Sequence, residues 1–266
     1  MRLAESPLMF VFSDVSDLDA GRDLLENYLG LRLIENQFHP PHEHHGLVKY
    51  DVGGTIVSLN LFAERRFAPG YSDGLTMVYR TADPALLRTA LDAFGQWEDE
   101  RFTDHDGHHF HFVRGTPEGL RTDLLEVRLV VPDLDECLGY YLDAFGFELL
   151  DRTERSARLA TGTTDLVLDE SVTAPDGQLV RRKSYLVVFH APDIYAAYEA
   201  MRGRGVTFSQ DVGFSDIGAT ARFRDPGGNT FCLYQPSAES LAWGSGPKVV
   251  QLSTPRPRHH APAKGH

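Results

Sequence analysis

The chain is poor in cysteine and has no long hydrophobic run. Cys137 and Cys232 are the only cysteines among its 266 residues, which excludes a disulfide-rich scaffold. We predict that both thiols are buried and free. No run of about 18 apolar residues is present, and the N-terminal residues lack the apolar core of a signal peptide. We therefore expect a cytoplasmic, soluble protein with no membrane partner.

Positive charge is also scarce. The 26 Lys and Arg residues are outnumbered by 38 Asp and Glu residues, and the net charge is −12. A surface of this sign disfavours nucleic acid and anionic lipid, so we expect no nucleic-acid partner. No P-loop, dinucleotide-binding glycine fingerprint or serine nucleophile elbow is present. With these classes of partner and motif excluded, we expect the partner to be a small-molecule ligand.

The sequence does contain an internal repeat. A strand-like run leads to an aspartate, an apolar-periodic helix and a glycine 13 residues after that aspartate, first at Asp17 and Gly30 and again at Asp133 and Gly146. Aspartate favours the start of a helix and glycine favours its end. Further strand-like runs follow each helix. The spacing predicts two copies of the same unit.

A related unit also occurs twice. Its strand leads to Asp83 and Asp193, and in both copies a glycine follows 12 residues later. Each copy ends in a predicted hairpin, Asp104-His-Asp-Gly-His108 in one and Asp225-Pro-Gly-Gly-Asn229 in the other. The chain is therefore predicted to contain four βαβββ units, and repetition of this kind is a stronger fold signal than any single segment.

The third unit opens with Val127-Arg-Leu-Val-Val-Pro-Asp-Leu-Asp and continues with Tyr-Tyr-Leu-Asp-Ala-Phe-Gly-Phe-Glu. With the closing hairpin, this pattern resembles the vicinal oxygen chelate superfamily of glyoxalases, bleomycin-resistance proteins and extradiol dioxygenases. The resemblance covers about 8–236. It implies an α+β fold in which four units pair into two domains, each with a curved, cleft-forming mixed sheet. We predict domains at 1–118 and 119–244, followed by a flexible tail at 245–266.

The resemblance also implies a metal site with His or Glu from first strands and Glu from a last strand. Alignment by hand places these residues at the corresponding positions: Phe10, Thr76 and His111 in the first domain, and Glu126, Leu186 and Cys232 in the second. His109 shares a strand face with His111 by period-two alternation. The metal candidates are therefore His109, His111 and Glu126, with Fe, Mn, Ni or Zn as the ion.

Two alternatives to that metal site stay open. In the first alternative, no metal is bound and Glu126 instead forms an ion pair with Arg128 or Arg222. The second alternative concerns the histidine-rich loop Phe38–Gly46, which contains four histidines and Glu43. That loop is either a transition-metal ligand set or a solvated loop without a role.

Strand parity also predicts a pocket in the second domain. His190 and Tyr234 are the catalytic candidates, because a cleft histidine can act as a general base. The ligand-binding candidates are Glu126, Arg128, Arg222 and Cys232; Asp169 adds a carboxylate if it faces inward. A planar ligand can stack on the aromatic side chains of Tyr140, Tyr185, Phe189 and Tyr234.

Two functions remain open on this basis. The first is a small-molecule binding or transforming protein of the glyoxalase and bleomycin-resistance type, acting on an aromatic or polyketide-like compound in the C-terminal cleft without the usual His/His/Glu metal site. The second is a metal-dependent dioxygenase, lyase or isomerase with an atypical ligand set. A homodimer is compatible with both, and fold analogy alone does not decide between them.

Overall fold

The computed structural model describes residues 7–37, 46–61, 74–117, 121–162, 164–171 and 185–254. The histidine-rich loop Phe38–Gly46 lies outside these ranges except for Gly46, so its metal-binding role stays a prediction. Within the same ranges, no helix is long and apolar enough to span a membrane.

All four predicted units are present, and the first two have the following elements. Unit 1 consists of β1 (Leu8–Asp14), α1 (Leu18–Asp23, continued by a π-helical turn at Leu24–Tyr28), β2 (Arg32–Asn36), β3 (Gly46–Asp51) and β4 (Ile56–Leu61). Unit 2 consists of β5 (Leu75–Thr81), α2 (Pro84–Ala90, continued by a 3-10 turn at Leu91–Ala93), β6 (Gly95–Glu98), β7 (Arg101–Asp104) and β8 (His109–Arg114).

The second half of the chain repeats this order and adds two helices. Unit 3 consists of β9 (Thr122–Val131), α3 (Leu134–Tyr140, continued by a π-helical turn at Tyr141–Phe145), β10 (Glu148–Arg152), β11 (Ser156–Ala160) and β12 (Asp165–Glu170). Unit 4 consists of β13 (Tyr185–His190), α4 (Ile194–Arg202), β14 (Phe208–Ser215), β15 (Gly218–Arg224) and β16 (Thr230–Pro236). Helices α5 (Ala238–Leu241) and α6 (Gly246–Ser253) follow.

The repeated aspartates have a local cause. In each unit the aspartate before the helix accepts a hydrogen bond from the backbone N–H three residues later; these residues are Asp17, Asp83, Asp133 and Asp193. Such a cap satisfies one of the N–H groups that the first helical turn leaves unpaired. The aspartate that recurs before each helix in the sequence is therefore the residue that caps that helix.

The strands form two curved, eight-stranded mixed sheets. The first sheet has the order β14-β15-β16-β13-β1-β4-β3-β2, and the second has the order β10-β11-β12-β9-β5-β8-β7-β6. Unit 4 thus pairs with unit 1 through β13 and β1, and unit 3 pairs with unit 2 through β9 and β5. The expectation that each sheet joins the two units of one predicted domain is wrong, because each sheet joins units from different halves of the chain.

Units of the same half meet instead on the helix side of the sheets. Tyr28 of unit 1 packs against Phe94 of unit 2 with ring centroids 4.5 Å apart. In the other half, the Tyr141 hydroxyl of unit 3 donates to Asp225 Oδ2 of unit 4 at 2.8 Å. One continuous apolar core includes helices and strands of all four units. The domain bounds at 118 and 119 stay a prediction, because contacts within a half and contacts between halves are both extensive.

Both cysteines are buried and free, as predicted. Cys137 lies in the main core, where burial raises its pKa to about 12. Cys232 faces the opposite side of the first sheet, and burial likewise raises its pKa to about 12. Since the thiolate is the reactive form, neither side chain is suited to act as a nucleophile near neutral pH.

We call the face of each sheet that points away from helices α1 to α4 its concave face, and the C-terminal helices cover this face of the first sheet. Val249 and Leu252 of α6 belong to a second apolar cluster with side chains from β1, β4, β13 and β16, namely Met9, Phe10, Ile56, Val188, Cys232 and Tyr234. The predicted flexible tail is therefore wrong for residues 246–253, which form a packed helix. The sequence showed no apolar periodicity there because the helix is short and buries only two large apolar side chains.

Polar contacts hold these helices in place. Lys248 Nζ lies 2.7 Å from Asp51 Oδ1 and donates to the Gly53 carbonyl at 2.6 Å. The Ser245 N–H donates to Glu35 Oε2 at 2.8 Å, and Lys49 Nζ donates to Glu35 Oε1 at 2.7 Å. Buried charges need partners of this kind to be tolerated. The C-terminal helices therefore complete the polar contacts of unit 1.

The hairpin of unit 2 contains the buried His108 and contacts unit 1 through Asp106. His108 Nδ1 lies 2.9 Å from Asp104 Oδ2, while Asp106 accepts from the Ser16 N–H at 3.0 Å. Burial disfavours the imidazolium, but the carboxylates of Asp104, Asp106 and Asp14 outweigh it and raise the pKa of His108 above its ordinary value of 6.5. Protonated His108 therefore stabilises the folded state.

We expect the contribution of His108 to stability to be present in full below about pH 6.5 and to be lost as pH rises through the raised pKa of the folded state. Urea unfolding of the wild type and His108→Gln across this range tests it. The difference in unfolding free energy between wild type and His108→Gln should shrink as pH rises; His105→Gln, in the exposed part of the same hairpin, is the matched control. A difference that is independent of pH would contradict the assignment.

Candidate functional site

The predicted catalytic residues lie on the covered face of the first sheet. His190 of β13 stands opposite Tyr234 of β16 in the register of the parallel pair. The Tyr234 hydroxyl donates to the Ile217 carbonyl at 2.8 Å and is 3.0 Å from Ser240 Oγ of α5. Burial lowers the pKa of His190 and raises that of Tyr234. Both side chains are buried, and their catalytic role stays a prediction.

The single predicted pocket is not formed. Cys232 and Arg222 are paired on neighbouring strands of the first sheet, whereas Glu126 and Arg128 lie on β9 of the second sheet. The hand alignment had joined units 3 and 4 into one cleft. Because those units belong to different sheets, the ligand-binding candidates separate into two groups.

The concave face of the second sheet brings polar side chains into rows. One row crosses β8, β5, β9 and β12 and contains His111, Val78, Glu126 and Asp165. The next row contains His109, Thr76, Arg128 and Val167. His109 and His111 thus share a strand face, as predicted, and the face includes Glu126 two strands away. This face contains all three predicted metal candidates.

Glu126 is the buried centre of that face. Its Oε2 accepts from Arg128 Nη2 and Nε at 2.9 and 3.1 Å, and its Oε1 is 2.5 Å from Arg158 Nη2. The Glu126 side chain is 3% exposed, against 36% for Arg128 and 42% for Arg158. Asp169 Oδ2 lies 3.7 Å from Arg128 Nη1. We call Glu126, Arg128, Arg158 and Asp169 the Glu126 network.

Part of this network was predicted and part was missed. The ion pair between Glu126 and Arg128 is confirmed, while the alternative partner Arg222 is on the other sheet. Asp169 does face inward, because it reaches Arg128. Arg158 was not foreseen. Its parity in Ser156–Ala160 matches that of Asp169 across the β11–β12 pair, so the alternation signal was present, but it required knowledge of the strand pairing.

Asp165 lies beside the network and was also missed. It stands opposite Glu126 in the register of β12 and β9. Burial raises the pKa of Asp165 to about 6, where attraction to Arg158 and repulsion from Glu126 partly cancel. Burial also raises the pKa of Asp169. A carboxyl group that titrates near the working pH is suited to give and take a proton.

The two histidines of the face have local partners. His109 Nδ1 lies 2.9 Å from Thr103 Oγ1 of β7. His111 Nε2 lies 3.5 Å from Glu100 Oε2 in the β6–β7 turn. These contacts direct the imidazoles toward the outer strands of unit 2.

The donor set does not fit the metal that the superfamily resemblance implies. Among the residues that the structure describes, no group of three or more His, Cys, Asp and Glu side chains is close enough to hold a metal ion. Both oxygens of Glu126 are engaged by guanidinium groups. Val78, which has no donor atom, separates Glu126 from His111 in the row. A 2-His-1-carboxylate site, which requires three converging donors, is therefore not formed by His109, His111 and Glu126.

Comparison with known proteins agrees with the fold. Residues 123–233 match the sequence model of the Glyoxalase/Bleomycin resistance protein/Dioxygenase superfamily. No curated protein gives a match. Among solved structures, glyoxalase I from Zea mays is similar with a TM-score of 0.68 and 20% identity, covering 96% of this chain and 97% of that chain.

A second solved structure, a putative dioxygenase from Bacillus subtilis, has a TM-score of 0.64 and 14% identity, covering 92% of this chain and 95% of that chain. At these identities the similarity concerns the fold. The chain therefore has the vicinal oxygen chelate fold, as the sequence predicted, with residues 123–233 carrying the sequence pattern of the superfamily.

Proposed function

We propose that this protein binds and transforms a small polar molecule on the concave face of the second sheet without a metal held by His109, His111 and Glu126. The observation that supports this most directly is the Glu126 network, in which a buried carboxylate is held between two half-exposed guanidinium groups. The fold supports a small-molecule role, since the superfamily description and the similar structures are of glyoxalases and dioxygenases.

The choice between the two sheets follows from their coverage. On the first sheet, Val249 and Leu252 of α6 bury against the strands where a ligand would lie. On the second sheet, Arg128, Arg158 and Asp169 each keep a third or more of their side chain exposed. Because these three side chains are partly exposed, we expect a ligand to reach them more readily than the residues buried beneath α6.

The residues of this face can take distinct roles. The two guanidinium groups supply planar sets of N–H donors suited to an anionic oxygen. Asp165, with a pKa of about 6, supplies a proton acceptor near neutral pH and a donor below it. His111 lies at the far end of the same row and delimits the site toward the outer strands.

An aromatic ligand in a C-terminal cleft has less support. Tyr140 packs edge-on against Phe145, Phe189 lies in the main core, and the Tyr185 hydroxyl donates to Asn229. Tyr234 is beneath the C-terminal helices. None of these rings contributes to the concave face of the second sheet, so the ligand that we propose is recognised by charge and hydrogen bonding.

Metal analysis of untagged protein tests the metal-free part of the proposal. We expect well under one equivalent of Fe, Mn, Ni or Zn, since the described donors do not converge. Near-stoichiometric metal that is lost in Glu126→Gln or His111→Ala would contradict this expectation and would favour the metal-dependent dioxygenase, lyase or isomerase. The exposed His105→Ala is the matched control.

The location of the site is tested by a small-molecule thermal-shift screen followed by NMR mapping. A ligand that binds only the folded state raises the melting temperature. We expect hits whose chemical-shift changes centre on β9, β11 and β12 and persist in EDTA. Hits that map only to β13 and β16, or a screen of small polar compounds without any hit, would overturn the proposed function.

A further inference from the structure

Among the contacts of the described residues, the Glu126 network uses only some of the guanidinium donors of Arg128 and Arg158. A guanidinium carries five N–H groups. Arg128 uses its Nε and Nη2 toward Glu126, while its Nη1 is 3.7 Å from Asp169, beyond hydrogen-bonding distance. Arg158 uses Nη2 toward Glu126. Both side chains are partly exposed, at 36% for Arg128 and 42% for Arg158, so solvent reaches part of each.

Glu126 also fixes the direction of both groups. It is nearly inaccessible to solvent and contacts one guanidinium through each carboxylate oxygen. Because the carboxylate already holds both arginine side chains in place, each loses less conformational entropy when a ligand binds. It also prevents the two like charges from repelling each other apart. This arrangement is that of a preorganised anion site.

The charges on the face favour an anionic guest most below the pKa of Asp165, which is about 6. The formal charges of Arg128 and Arg158 are balanced by Glu126 and Asp169, and Asp165 lies next to them on β12. Near pH 7, above the Asp165 pKa of about 6, the strip has a net negative charge; below that pKa it has no net charge, so an anion meets less repulsion there. A neutral carboxyl can in addition donate a hydrogen bond to a ligand oxygen.

We propose that Arg128 and Arg158 together bind the carboxylate group of a small organic acid. This inference rests on the proposed function and names the ligand class for the same face. Carboxylate fits better than a point anion because guanidinium and carboxylate are both planar and form paired N–H···O bonds.

The test uses malonate as a probe and malonamide as its uncharged analogue, at constant ionic strength, by isothermal titration calorimetry. We expect malonate to bind with a Kd of about 1 mM, the affinity expected of so small an acid, and malonamide not to bind. Arginine Nε–Hε resonances of Arg128 and Arg158 should shift on adding malonate. The outcome that would overturn the proposal is equal binding of the two probes, or no saturable malonate binding.

Variants separate recognition from folding. Arg158→Gln should weaken malonate binding about tenfold or more, since it removes charge-assisted hydrogen bonds. The double variant Glu126→Gln with Arg158→Gln leaves no unpaired buried charge, so we expect it to fold. It should bind malonate as weakly as Arg158→Gln does. Arg202 is an exposed side chain on α4 of unit 4, and Arg202→Gln should bind malonate as the wild type does. Unchanged affinity in the double variant would contradict the carboxylate site.

Failure here is distinguishable from failure of the proposed function. If malonate does not bind but a polar ligand from the screen shifts resonances of β9, β11 and β12, the face is a ligand site of another chemical class. If neither malonate nor any screened compound affects that face, both proposals fall.

Discussion

Replacing Leu252 by alanine should lower the free energy of unfolding by about 2 to 5 kcal/mol. Leu252 is 8% exposed and packs in the apolar cluster on the concave face of the first sheet. Removing its branched end leaves a cavity in this cluster, which the packed strands close only in part. The loss therefore includes both the transfer free energy and the cavity.

Chemical denaturation of Leu252→Ala beside Val250→Ala gives the decisive comparison. Val250 is two residues away on α6 and 52% exposed, so its replacement should change the unfolding free energy by no more than about 0.5 kcal/mol. Both substitutions change helix propensity in the same segment. They differ in that the Leu252 side chain is buried and the Val250 side chain is exposed. Equal effects would show that α6 is not seated on the sheet, and the first face would again be a candidate ligand site.

Replacing Arg128 and Arg158 together by glutamine should lower the unfolding free energy by about 3 to 5 kcal/mol. The change leaves Glu126, whose side chain is 3% exposed, without a cationic partner. An uncompensated buried charge is far less favourable than either a paired charge or a neutral group. The arginines themselves are partly solvated, so most of the effect arises from the carboxylate that remains.

Adding Glu126→Gln to that double variant should restore most of the lost stability, because the triple variant has no buried charge at this position. The same triple variant should not bind malonate. Stability measured by urea unfolding and binding measured by calorimetry therefore respond differently to the third change. A triple variant no more stable than the double one would contradict the view that Glu126 is the group left unpaired.

The sequence predicted the local features of this fold well. The four helices begin at the four predicted aspartates, and both predicted hairpins form at Asp104–His108 and Asp225–Asn229. Capping and turn formation depend on residues within a few positions of each other. For this reason single-chain patterning was sufficient to recognise the units.

The candidate site was predicted only in part. The pair of Glu126 and Arg128 lies two residues apart on one strand, so alternation alone placed both on one face. Arg158 and Asp165 required the pairing of β9, β12 and β11. His190 and Tyr234 were placed on one face correctly, but the sequence did not reveal that α6 covers it.

What the sequence determined by itself is the repeated unit, its fold class and the burial of both cysteines, because these follow from local capping, turn chemistry and periodicity. The tertiary structure decided which units share a sheet, that α6 packs on the first sheet and which cations meet Glu126. Those outcomes depend on contacts between distant segments, such as Ser245 with Glu35, which are 210 residues apart. Such contacts arise from packing of whole units, and no pattern within one unit encodes its partner.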